Sequence, residues 1–174
     1  MDGLILVLGA LLALGALFLL WQAARQRRAS GLPAGRVISS DTRAWGKVEK
    51  PLFDPLSGLT GKPDYIVEQG GAWIPVEVKS AYAPAVPYDG HLYQLAAYCL
   101  LVERTSGKRP PYGILHYRNR TYAIDYTAQL EASLKDLLVE MRQEERYDDV
   151  PRSHEDPARC ARCGYRSTCD QRLA

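Results

Sequence analysis

Three side chains in the middle of the chain carry groups that could together hydrolyse a phosphodiester: Asp64, Glu77 and Lys79. Between the two acids stands Gly70-Gly71, a dipeptide that permits the positive φ angles of a two-residue hairpin loop. With those glycines as the loop, Asp64 stands opposite Glu77, and directly opposed residues keep their Cβ atoms about 5 Å apart on one face of a sheet. Lys79 shares that face, because strand side chains alternate with period two. Two carboxylates at about 5 Å repel by roughly 3 kcal/mol at an effective dielectric of about 20, so a proton or a cation must relieve them. A hard dication such as Mg²⁺ or Mn²⁺ fits. Lys79 would then orient the attacking water and help to deprotonate it, while the metal stabilises charge developing on the phosphate oxygens. Spacing alone also fits a solvated strand face, where a Glu and a Lys two residues apart pair weakly. Pro75 lies inside the second strand, and a bulge there would slip the register by one.

A second group is Cys160, Cys163 and Cys169. Soft thiolates at these spacings, in a short irregular segment, can converge on one ion or cluster. His154 is near enough in sequence to complete a Cys3His zinc site. The remaining cysteine, Cys99, falls with Leu92, Leu95 and Val102 on one helical face, where a core thiol is the ordinary role. Thiols so crowded point to a metal site in a reducing compartment rather than to a disulfide framework.

The elements that must position these groups are legible from periodicity. Asp64–Gln69 and Ala72–Lys79 read as strands of one hairpin, and His91–Arg104 as an amphipathic helix. Tyr112–Tyr117 and Thr121–Asp125 read as a second hairpin around Asn119. Thr127 can cap a further helix that carries Leu130, Leu134, Leu137, Leu138 and Met141. After Tyr147 the periodicity is lost. This order predicts an α/β fold with a small mixed central sheet flanked by helices.

Ahead of the folded part, Gly3 to Trp21 is nineteen residues without a charge, long enough to cross most of a bilayer as a helix. Asp2 precedes this stretch and Arg25, Arg27 and Arg28 follow it, the reverse of a signal peptide. The positive-inside rule then predicts a single-pass cell-membrane protein with its C-terminal domain in the cytoplasm. The expected organisation is an anchor over 1–24, a basic flexible linker over 25–35, a folded domain over 36–150 and a cysteine-rich tail over 151–174. A chain that is 47% hydrophobic and 24% charged is not disordered as a whole. With 22 basic against 20 acidic residues it lacks a histone-like excess, so any duplex contact has to come from a local patch.

Gly61-Lys62-Pro63-Asp64, Glu77-Val78-Lys79 and Gln94-Leu95-Ala96-Ala97-Tyr98 resemble, in order and spacing, the G-x-x-D, E-x-K and Q-x-x-x-Y series of the PD-(D/E)xK nucleases. Within them the chain resembles the RecB-like exonucleases associated with CRISPR systems, from about Leu56 to the carboxyl terminus. The resemblance implies a restriction-endonuclease-like fold in which Asp64, Glu77 and the Val78 carbonyl bind the catalytic metal and Lys79 assists the nucleophilic water. Gln94 and Tyr98 would contact substrate or position Lys79. A 4Fe-4S cluster on Cys160, Cys163 and Cys169 is implied as well, with zinc as the alternative, although the family's fourth cysteine upstream of the motifs has no counterpart here. The implied activity is exonucleolytic trimming of single-stranded DNA ends, with CRISPR adaptation or repair proteins as partners. The family also carries a histidine upstream of the aspartate, and no histidine precedes His91 in this chain. That departure motivates the alternative of a catalytically weak, nuclease-like module that tethers nucleic acid or a protein partner to the membrane.

Overall fold

The computed structural model describes residues 9, 11–19, 21–22, 36–38 and 45–173. The chain divides into two compact units, Met1–Asp136 and Leu137–Ala174. In chain order the strands are β1 (Arg36–Ile38), β2 (Gly46–Lys47), β3 (Leu52–Asp54), β4 (Leu59–Gly61), β5 (Tyr65–Gln69), β6 (Ala72–Lys79), β7 (Tyr112–Tyr117) and β8 (Arg120–Asp125). The helices are α1 (Asp89–Ser106), α2 (Ala128–Glu144) and α3 (Pro157–Ala161).

Among the described residues, six strands form one sheet in the order β1-β8-β7-β6-β5-β2, and β3 with β4 makes a separate hairpin. β6 and β7 run parallel while their other neighbours are antiparallel, so the sheet is mixed as expected. A parallel pair needs a crossover, and α1 supplies it between β6 and β7. The β5–β6 loop is the expected glycine pair, with φ at 59° for Gly70 and 74° for Gly71, as a primed two-residue turn demands.

The core lies between the sheet and α1, where Leu92, Leu95, Leu101, Val102, Leu115 and Tyr117 are almost fully buried. The helix is buried on more than one stripe because it packs against both the sheet and the β3–β4 hairpin. Gly113 on β7 lets the helix approach: a Cβ there would lie 2.6 Å from Leu95 Cγ. Asp54 ties the β3–β4 turn by accepting hydrogen bonds from the Leu56 and Ser57 amides and the Ser57 hydroxyl. This hairpin is absent from the periodicity reading, since strands of three residues are too short to show an alternation. Thr127 does cap α2, accepting from the Leu130 amide at 3.1 Å. Leu130 and Leu134 are buried, whereas Met141, further along the same expected stripe, is 53% exposed.

The residues described near the amino terminus, Gly9, 11–19 and 21–22, are helical, and Leu11, Leu12, Leu14 and Phe18 among them are exposed. Among the described residues no helix is long and apolar enough to cross a membrane. The remainder of the expected anchor and the whole expected linker over 25–35 lie outside the described residues.

Candidate active site

The glycine turn sets the register. Tyr65 pairs with Val76, Ile66 with Pro75 and Gln69 with Ala72, so the ladder passes Pro75 without a bulge. Continued by one residue, it puts Asp64 opposite Glu77, as the sequence predicts. Pro75 is tolerated for a geometric reason. The Val78 N–H points to the Asp64 side, so by period two the Pro75 nitrogen points to the β7 side, where pairing starts only at Val76. Asp64 stands at the entrance of β5 and Lys79 at the exit of β6, so both acids and the lysine gather at the carboxyl end of the parallel strands, where α/β sheets ordinarily bind ligands.

The polar groups at this end are interlocked. Lys79 Nζ donates to Glu77 Oε1 at 2.8 Å and to Gln94 Oε1 at 2.6 Å. Gln94 Nε2 donates to the same Glu77 oxygen at 2.9 Å and lies 2.9 Å from the Tyr98 hydroxyl. Gln94 and Tyr98 are one turn apart on α1, which aims both at β6. Gly61, the first residue of the G-x-x-D motif, has a packing role: a Cβ there would sit 2.8 Å from Tyr98 Cε1 and 3.0 Å from Leu101 Cδ1. Asp64 is exposed, and its Oδ2 accepts from the Val78 amide at 2.8 Å.

Glu77 is only 7% exposed. That burial pushes its carboxyl above the usual carboxylate range; hydrogen bonds from Lys79 and Gln94 pull it down, and the Asp64 charge pushes it up again. Tyr98 is likewise raised, first by burial. His91, near the helix start, is half-buried, with Nδ1 2.7 Å from the Tyr117 hydroxyl. Burial, with the Lys79 charge behind it, lowers His91 below its ordinary value. Tyr117 in turn is pushed up to about 12, chiefly by burial. Tyr117 shows in the sequence only as a strand residue. Its partnership with His91 arises because it pairs with Lys79 in the β6–β7 register, directly beneath the start of α1.

A family model of the PD-(D/E)XK nuclease superfamily matches residues 10–170. The chain belongs to this superfamily. PD-(D/E)XK proteins are typically metal-dependent nucleases that use Mg²⁺ or Mn²⁺, and nucleic acid is what they bind.

The residues present suit the hard dication of a PD-(D/E)XK nuclease. Glu77 Oε1 is taken by Lys79 and Gln94 and Asp64 Oδ2 by the Val78 amide, while Glu77 Oε2 and Asp64 Oδ1 accept no hydrogen bond from the described residues. One oxygen of each acid is thus left to a cation. The N–H and C=O of one strand residue point to the same side, so the Val78 carbonyl also faces Asp64. Two carboxylate oxygens and a carbonyl leave room for several waters, the coordination a small hard cation prefers.

The cysteine expectation fares differently. Among the described residues no group of three or more His, Cys, Asp or Glu side chains is gathered so as to hold a metal ion. Cys160 is buried on α3, and its Sγ lies 3.5 Å from the Leu173 amide; Cys163 is exposed and Cys169 is half-buried. His154 instead faces the Asp156 amide, 3.2 Å from its Nδ1. Cys160 stands on α3 and Cys163 and Cys169 follow it in turns, with no ladder to bring the three thiols to one point, and the ligand set expected for a 4Fe-4S or zinc site is not found among the described residues. Cys99 is fully buried in α1, as expected of a core thiol, and burial pushes it far up.

Proposed function

We propose that this chain is a membrane-anchored DNA exonuclease of the RecB-like, CRISPR-associated kind, which trims single-stranded ends with Mg²⁺ or Mn²⁺ held by Asp64, Glu77 and the Val78 carbonyl. The hydrolytic part rests on one observation, the lock of Lys79 between Glu77 and Gln94 at 2.8 and 2.6 Å. An ammonium has three hydrogens, so with two engaged the third is free for an incoming water or a phosphate oxygen. Gln94 keeps Lys79 from swinging away and keeps Glu77 Oε1 occupied, which leaves the other oxygen for the cation. Tyr98 steadies the Gln94 amide. When bound, the dication supplies Lewis-acid stabilisation of the charge that develops on the phosphate.

The choice of DNA ends and of the RecB-like branch rests on the order of the three motifs. The anchor rests on the nineteen uncharged residues from Gly3 to Trp21 and the three arginines after them, which would hold the domain at the cytoplasmic face.

The test is incubation of the full chain with Mg²⁺ or Mn²⁺ and labelled linear single-stranded, circular single-stranded and duplex DNA, beside Lys79→Ala. Shortening of linear single strands that the variant loses supports the reading. Cleavage that persists in the variant, or cutting of the circle as fast as the linear strand, overturns it. Binding without cleavage favours the tethering module.

A further inference from the structure

The loop from Ser80 to Tyr88 connects Lys79 to α1, and it is pinned rather than trailing. The Ala83 amide donates to Asn119 Oδ1 at 2.7 Å, the Arg118 amide to the Ala81 carbonyl at 3.1 Å and the Tyr122 hydroxyl to the Pro84 carbonyl at 2.8 Å. Despite this anchoring the loop presents two large rings to solvent, Tyr82 at 65% and Tyr88 at 61% exposed. Tyr88 also holds the N-cap of α1 without any side-chain capping bond, a position where Ser, Thr, Asp or Asn would stabilise the helix by about 1 kcal/mol. The helix start therefore forgoes a cap to keep an aromatic ring at this position.

A cation flanks the first ring. The Arg118 guanidinium stands 5.2 Å from the centre of the Tyr82 ring. Arg120 follows in a row across the sheet, since Lys79 pairs with Tyr117 and Tyr117 with Arg120. With strands about 4.8 Å apart, that row sets Arg120 roughly 10 Å from Lys79 on the same face. Tyr88 meets His91 edge-on at 5.4 Å, and His91 packs on Tyr117, so this ring is braced from beneath.

Exposed aromatic faces with arginines nearby are what unpaired bases and their phosphates recognise. A duplex offers no free base face to stack on. Resting on the nuclease reading above, we infer that Tyr82 and Tyr88 form a stacking platform for the unpaired bases next to the scissile phosphate, and that Arg118 and Arg120 hold the adjoining phosphates. This platform selects single strands.

The experiment measures binding of labelled oligo-dT and of an abasic strand of equal length to the full chain, in Ca²⁺ to suppress cleavage, for wild type and for Tyr82→Ala, Tyr88→Ala, Tyr82→Phe and Tyr88→Phe. Cleavage of linear single strands in Mn²⁺ is followed in parallel, with Lys79→Ala as the blank. Each alanine variant is expected to bind oligo-dT about 5- to 10-fold more weakly, with the phenylalanine variants within about 2-fold of wild type and the abasic strand indifferent to all four changes. Alanine variants that bind oligo-dT as tightly as wild type overturn the platform while leaving the nuclease reading intact, provided that cleavage still depends on Lys79. Equal losses on the abasic strand also overturn it, because bases are then not what the rings touch. A wild-type chain that neither binds nor cuts any strand overturns both.

Discussion

The carboxylate end of the sheet and the cysteine-rich tail begin from the same kind of sequence signal, a few chemistry-bearing residues at suggestive spacings, and they end differently. At the sheet, Asp64 and Glu77 are thirteen residues apart, yet the two-glycine turn and the strand ladder bring them opposite one another. In the tail, Cys160, Cys163 and Cys169 lie within ten residues and do not gather into a ligand set. Nearness along the chain is therefore a weaker guide to convergence than a regular backbone that imposes register. The lock around Lys79 adds to the contrast, because each of its members stands on a regular element.

Substitutions put this contrast to the test. The largest effect is expected from Lys79→Ala, which should lower the rate of DNA cleavage by about 10²- to 10⁴-fold with little change in denaturation midpoint; a rate within 10-fold of wild type would put the chemistry elsewhere. Next, Gly61→Ala drives a Cβ into the Tyr98 ring and should cost roughly 1–3 kcal/mol of stability, read from chemical denaturation. Gln94→Ala removes one of the two bonds that hold Lys79 and one of the two that Glu77 Oε1 accepts, leaving only the Lys79–Glu77 pair, and kcat should fall by about 10-fold with KM nearly unchanged. A change confined to KM would make Gln94 a substrate contact instead.

Smaller still is Asp54. The hydroxyl of Ser57, more than any other group, holds its carboxyl below the ordinary value of 3.8. The folded pKa is depressed, so the stabilisation is complete above the unfolded value and is lost as the pH falls through the folded one. Asp54→Asn should therefore flatten the acid side of the stability profile and cost about 1 kcal/mol at neutral pH. The smallest effect is expected in the tail: Cys163→Ser, at an exposed site, should shift stability by less than about 0.5 kcal/mol. If Cys160→Ser, Cys163→Ser and Cys169→Ser each unfold the tail, and the purified protein carries stoichiometric zinc or iron, the two regions are alike after all.

How far the site was legible depends on the range of each contact. Asp64, Glu77 and Lys79 were placed by counting, because a two-residue turn leaves one register and period two assigns the face. Gln94 and Tyr98 enter through the resemblance to the Q-x-x-x-Y motif, and their spacing of four on a helix keeps them on one side. The β3–β4 hairpin was not legible, since three-residue strands carry no period, and neither was the Tyr117 bond to His91, which depends on where α1 begins above β7. The sequence marks Asn119 only as the centre of a turn, whereas its side chain also fastens the loop after Lys79.

The order of residues was enough for the paired acids, the lysine beside them and the helix that answers them, because these follow from backbone periods that act over a few residues. Which oxygen of each acid remains for a cation, how Gly61 admits Tyr98, which rings the loop after Lys79 turns outward and whether the described thiols gather into a ligand set were settled by the folded chain as a whole. Those outcomes depend on the simultaneous packing of elements distant in the chain, and no local period encodes that packing.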